Sequence, residues 1–130
     1  MSNPNKNVHL SDLQLAVMRV LWAQREASTT EVATALAPNR DLAHTTVATL
    51  LTRLERRGVV AHRRDGRMLM YRPLITEPEV RRSMVAEMVA TLFRGDPGAL
   101  VSHLVHESEI DAGDLERVRA LLADKETDHG

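Results

Sequence analysis

Thr45, Thr46, Thr49 and Thr52 fall within eight residues and are followed by Arg53 and Arg56. At about 100° per residue, Val47, Leu50, Leu51 and Leu54 share one side of a helix. Thr45, Thr49, Thr52 and Arg56 share the other, with Thr46 and Arg53 flanking them. Threonine is a mediocre helix former, so helix stability does not explain this density. Small polar side chains suit a surface that approaches base edges and thymine methyls closely, as in a DNA major groove. Arg53 and Arg56 suit phosphate oxygens, which take half to two-thirds of protein–DNA hydrogen bonds. Arg57 lies nearer the apolar side, where capping the helix end is enough to explain it. His44 is equally compatible with DNA contact and with a partly buried structural place.

Immediately downstream the spacing turns from helical to strand-like. Asp65-Gly66 predicts a two-residue hairpin turn between Val59–Arg64 and Arg67–Arg72. Arg63, Arg64 and Arg67 surround its tip, where a phosphate-contacting wing needs cations. The helix and hairpin together occupy Asp41–Pro73, with Gly58 in the usual position after a helix end.

The elements that hold this surface carry their own signals. Residues 1–9 read as a frayed polar tail. Ser11 with Gln14 is a capping box, with Leu10 and Leu15 as a hydrophobic staple, and the helix it opens ends near Arg25. Ser28 with Glu31 opens a second, short helix that stops near Ala37, before Pro38. Three helices and an arginine-tipped hairpin make a winged helix-turn-helix whose last helix enters the groove.

Beyond the connector Leu74–Glu77, bracketed by Pro73 and Pro78, a long helix is expected to about Arg94. It carries Val80, Met84, Met88 and Leu92 at every fourth position. Gly95-Asp96-Pro97-Gly98 breaks it. A short helix with Leu100, Val101, Leu104 and Val105 follows, then one from about Asp111 with Leu115, Val118, Leu121 and Leu122. None of the three hides its apolar face alone, and a symmetric dimer in which they interlock solves that for all three. The expected dimerisation residues are Val80, Met84, Met88, Leu92, Leu100, Leu104, Leu115, Val118 and Leu122. The expected fold is mainly α with a small β-hairpin wing: a winged-helix DNA-binding domain over residues 1–75 and a helical dimerisation domain over residues 76–130.

Charge follows the same division. Residues 1–75 hold 11 Lys and Arg against 6 Asp and Glu, while residues 76–130 hold 6 against 12. A basic half is the footprint of a polyanion partner, and an acidic half would face away from it. The chain has no cysteine, which excludes disulfides, thiolate metal sites and a cysteine nucleophile. No window approaches the roughly 18 apolar residues of a membrane span, so no membrane insertion and a cytoplasmic location are expected. No phosphate-cradling glycine loop and no spaced nucleophile–base pair are visible, so no enzyme and no cofactor are expected. His103, His106 and Glu107 share a helical face, but histidines on such a helix read as packing residues, and no metal is assigned to them.

In order along the chain, several stretches resemble the penicillinase and methicillin-resistance repressor (BlaI/MecI) family over roughly residues 10–125. They are Leu10-Ser11-Asp12-Leu13, Val17-Met18, Leu21-Trp22, Thr45-Thr46-Val47, Thr49–Leu54, Gly66-Arg67, Tyr71-Arg72-Pro73 and Leu100–Leu104. The resemblance implies a homodimeric repressor of palindromic operators, often at antibiotic-resistance genes, with double-stranded DNA as its partner. It also implies a BlaR/MecR-type membrane sensor-protease whose signal leads to cleavage in the dimerisation region. The staphylococcal members are cut between Asn and Phe. Here the corresponding pair is His103-Leu104, so that cleavage chemistry does not carry over directly. The copper-responsive branch has a C-terminal cysteine cluster that this chain lacks, which rules out copper sensing by that route. Two other readings remain open: a winged-helix module that binds an acidic protein partner, and a regulator released by a small ligand.

Overall fold

In the computed structural model, residues 8–107 and 109–129 are described, with side chains to residue 125. Residues 1–7 of the expected polar tail lie outside the described set. Its end departs from expectation, because Val8 is buried at 5% exposure in the core beside Leu10.

The first helix, α1 (Asp12–Gln24), opens with the full capping box: Gln14 N–H donates to Ser11 Oγ at 3.1 Å and Ser11 N–H to Gln14 Oε1 at 3.0 Å. It ends at Arg25, whose φ of 72° turns the chain away. A two-residue strand follows, β1 (Ala27–Ser28), and Ser28 then caps α2 (Thr29–Leu36) through its own box with Glu31. That strand left no mark in the sequence, since two residues cannot show a period. The third helix, α3 (His44–Arg56), starts three residues later than the Asp41 start expected. Its N-cap is Ala43, which has no side-chain acceptor to offer, so Asp41–Ala43 remain in the loop.

After Gly58, at φ +78°, come β2 (Val60–Asp65) and β3 (Met68–Pro73). Asp65 pairs with Met68, so the turn residues are Gly66 and Arg67, one position beyond the expected Asp65-Gly66. Gly66 has φ +63° and Arg67 is not in the left-handed region, the pattern of a type II′ turn with glycine first. The three strands form one antiparallel sheet in the order β1-β3-β2. The architecture is a winged helix-turn-helix with further helices, as its composition of elements led us to expect.

The core lies between α1, α2, α3 and the sheet. Val17, Met18 and Leu21 of α1 meet Val32 of α2 and Val47, Leu51 and Leu54 of α3, all at 0% exposure. Burying each such aliphatic side chain contributes about 1.5–3 kcal/mol, so three short helices with few aromatics still hold together. Trp22 Nε1 donates to Ile75 O at 2.8 Å and ties α1 to the segment leaving the wing.

Within the connector Thr76 is a cap: Glu79 N–H donates to Thr76 Oγ1 at 3.2 Å, and Thr76 N–H to Glu79 Oε1 at 3.1 Å. It opens α4 (Glu77–Leu92). The expected break at Gly95–Gly98 also begins a helix. Asp96 accepts from Gly98 N–H at 2.9 Å and Pro97 is the first residue of α5 (Pro97–His106). Asp111, just before α6 (Ala112–His129), and Asp114, in its first turn, each accept the other's backbone N–H and cap the helix start. The chain divides into two compact units with the boundary inside α4, the first running to Glu87 and the second from Met88. No helix among the described residues is long and apolar enough to cross a membrane.

Candidate nucleic-acid interface

The helical phase of α3 separates its residues cleanly. Val47, Leu50, Leu51 and Leu54 face the core, while Thr45, Thr46, Thr49, Thr52, Arg53 and Arg56 are exposed. Thr52 Oγ1 donates to Ala48 O at 2.9 Å, which leaves its oxygen lone pairs outward as acceptors. At the far end of the helix, Arg57 donates to Gln14 Oε1 at 3.3 Å, so it braces α3 against the capping box of α1.

Strand alternation sorts the wing residues. His62 stands opposite Tyr71 and Arg64 opposite Leu69. Tyr71 is buried in the core, and His62 Nδ1 lies 2.5 Å from Glu55 Oε2 of α3. That face therefore turns toward α3. Burial, and after it the Glu55 charge, raises the Tyr71 phenol above its ordinary 10.0, so it remains neutral. Arg63, opposite Met70, is on the other face, where it pairs with Glu26. Arg67 is exposed in the turn itself. Among the described residues, Arg53, Arg56, Arg64 and Arg67 form no ion pair.

Between α3, the start of α2 and the wing lies an open cleft of about 400 Å³. Thr52, Arg67 and Leu69 line it together with Thr29, Thr30, His44 and Met68. Apart from His44, these last residues escaped the sequence reading. Ser28 marked where α2 begins, but nothing in the sequence showed that this helix start opens onto the same cleft as the wing. Such a cleft, with the start of α2 on one side and the Arg67 guanidinium on the other, has the chemistry to take a phosphate.

The sequence matches the penicillinase repressor family over residues 10–124. The chain belongs to that family of transcriptional repressors. Among relatives, it is 36% identical over 127 residues to the transcriptional regulator BlaI of Mycobacterium tuberculosis, covering 96% of this chain and 91% of that one. It is 24% identical over 121 residues to the methicillin resistance regulatory protein MecI of Mammaliicoccus sciuri, covering 93% of this chain and 98% of MecI. Its fold is similar to the solution structure of the DNA binding domain of the repressor BlaI, with a TM-score of 0.51 and 34% identity over 57% of this chain and 90% of that one.

The residues expected to form a penicillinase-repressor dimer are differently placed. Val80 is 2% exposed inside the core of the first unit, and Met84 packs against that core. Met88, Leu100, Leu104 and Leu115 are half-buried. Leu92, Val118 and Leu122 are exposed at 67%, 44% and 56%. His103 and Leu104 lie in the last turn of α5, with the His103 ring 5.9 Å from that of Phe93 and its Nε2 3.6 Å from Glu109. Among the described residues there is no group of three His, Asp or Glu side chains fit to hold a metal ion.

Proposed function

We propose that this penicillinase-repressor family member is a homodimeric, sequence-specific transcriptional repressor that binds palindromic operators. The observation that carries the reading is the outward face of α3: threonines and unpaired arginines on a core-anchored helix, beside a wing whose Arg67 lines the same cleft as Thr52. In this reading Thr45, Thr46, Thr49 and Thr52 meet base edges, while Arg53, Arg56, Arg64 and Arg67 hold phosphates and fix register. Two copies related by a two-fold axis would read half-sites separated by whole turns of the double helix.

The exposed leucines and valines of α4, α5 and α6 support a dimer, because apolar side chains in such numbers need a partner surface. With Val80 and Met84 committed to the first unit, the dimer face would draw on Met88, Leu92, Leu100, Leu104, Leu115, Val118 and Leu122. Kinship supports induction through a BlaR/MecR-type sensor-protease. Proteases favour exposed segments that can be extended, so cutting between His103 and Leu104 would first need α5 to open. A repressor of this kind works on chromosomal DNA in the cytoplasm.

The test is a genomic-fragment pull-down with purified protein at two salt concentrations, followed by footprinting. A palindrome upstream of a few genes is the expected result. Thr46→Ala and Thr49→Ala should then relax base preference, with smaller losses on random DNA than on the operator. Uniform retention of every fragment would refute sequence-specific repression. No retention at all would favour an acidic protein partner.

A further inference from the structure

Arg63 and Arg64 are neighbours in sequence and opposites in space. Arg64 is on the face of the sheet that turns to α3, while Arg63 is on the face that turns away. There the Arg63 guanidinium meets the Glu26 carboxylate as a two-pronged fork, Nε donating to Oε2 at 2.8 Å and Nη2 to Oε1 at 2.7 Å. Glu26 immediately precedes β1, and β3 lies between β1 and β2. The fork therefore spans the central strand and joins the two edges of the sheet, between residues 37 positions apart. Parallel donor pairs of this kind fix orientation as well as distance. The Arg63 hydrogen bond is also the main reason the Glu26 carboxyl is held below its ordinary 4.5, with Arg63 and Arg72 charges adding to it.

We infer that Arg63 is not a DNA ligand: with Glu26 it forms a staple across the wing sheet, and the staple sets where Arg64 and Arg67 meet the phosphate backbone. The inference rests on the operator-binding reading and takes Arg63 out of the three wing cations that the sequence sets at the hairpin tip. The carboxylate already holds the Nε–Nη2 edge of the guanidinium and offsets its charge, on the face turned away from the recognition helix, so a phosphate there would compete with Glu26 for Arg63. Glu26 and Arg63 are positioning residues, and they act through Arg64 on the α3-facing side of the wing and Arg67 at the cleft.

Salt dependence separates a cation that touches phosphate from one that positions others. Fluorescence anisotropy would be recorded over a salt series on a duplex from the footprinted site and on a random duplex. Arg64→Gln should weaken binding and flatten the plot of log affinity against log salt by about one unit per protomer. Arg63→Gln should weaken binding about twofold to fivefold per half-site with the slope unchanged. The charge-swapped pair Glu26→Arg with Arg63→Glu should recover the wild-type affinity that Arg63→Glu alone loses. A flattened slope in Arg63→Gln, or a double swap as weak as Arg63→Glu, would overturn the staple. So would an Arg63→Gln protein that melts earlier yet binds as tightly as wild type while folded. Should the wild-type chain retain no DNA, the operator reading fails. Amide exchange then decides the staple alone: at the Ser28–Met70 and Ala27–Tyr71 pairs it should quicken in Arg63→Gln and recover in the swap, and unchanged exchange sinks it.

Discussion

The salt dependence of operator binding can be worked out from the arginines before any operator is known. Arg53, Arg56, Arg64 and Arg67 are exposed and make no ion pair among the described residues, whereas Arg63 is tied to Glu26 and Arg57 donates to Gln14. Four such cations per protomer give eight in a dimer, and at ~0.9 per neutralised phosphate the log–log slope should be about −7. Raising monovalent salt fourfold should then cost roughly 10⁴ in affinity. Arg64→Ala removes one cation from each protomer and should bring the slope to about −5. Its loss should be nearly equal on operator and random DNA, since phosphate contacts carry no sequence information. Anisotropy titrations of a labelled duplex over a salt series measure all of this directly. A wild-type slope near half the expected value would mean that one protomer binds alone, or that only half the cations reach phosphate. A slope much steeper than expected would mean that Arg63 or Arg57 leaves its partner to join them. An Arg64→Ala slope equal to wild type would refute the assignment of the wing.

Other consequences can be checked without DNA. Leu122→Glu should leave the protein folded, because the side chain is already 56% exposed within one protomer, yet it should halve the sedimentation mass; an unaltered mass would remove α6 from the dimer face. Gly66 has φ +63° and open space where a Cβ would stand, so Gly66→Ala should cost only the backbone penalty, about 1–2 kcal/mol by thermal melts. Gly66→Asn should cost less, and equal losses for the two would argue against a left-handed turn residue. The carboxyls of Glu79, held by the Thr76 backbone N–H, of Asp114, held by the Asp111 N–H and Arg117, and of Glu26, held by Arg63, are all lowered below their ordinary 4.5 and 3.8. A lowered carboxyl stabilises the fold fully above its unfolded pKa and loses that contribution as pH falls through its folded value. The melting temperature should therefore stay level near neutrality and drop in acid, less so in Glu79→Gln; a midpoint that rises on acidification contradicts this.

Much of the candidate interface was legible because it is built from local rules. Both N-terminal capping boxes are fixed by residues three apart, and the split of α3 into a leucine face and a threonine face follows from helical phase alone. What stayed hidden depends on residues far apart in sequence. Strand β1 exists only because Ala27 and Ser28 find Tyr71 and Met70. Val80 carries the same four-residue spacing as Leu92, yet one is inside the first core and the other outside it, and spacing within α4 cannot tell which surface each will meet. The wing arginines looked equivalent as three cations near a turn. Alternation along β2 could already have set Arg63 and Arg64 on opposite faces, but the bond from Arg63 to Glu26 had no local signal. The turn itself shifted by one residue because Asp-Gly and Gly-Arg are both acceptable hairpin centres, and the Asp65–Met68 pairing decided between them.

The indole of Trp22, bonded to Ile75 O, is the only tryptophan in the chain, and Tyr71, the only tyrosine, is also in the first unit; Phe93 is the one aromatic of the second. Intrinsic emission from this protein is therefore a one-sided witness. It reports the joint between α1 and the strand exit, both within the first unit. An emission melt could look wholly native while the second unit had already come apart. Far-ultraviolet dichroism counts helices from both units, so agreement between the two signals would be evidence of a single cooperative transition, and a gap between them would give the separate stability of the acidic helices.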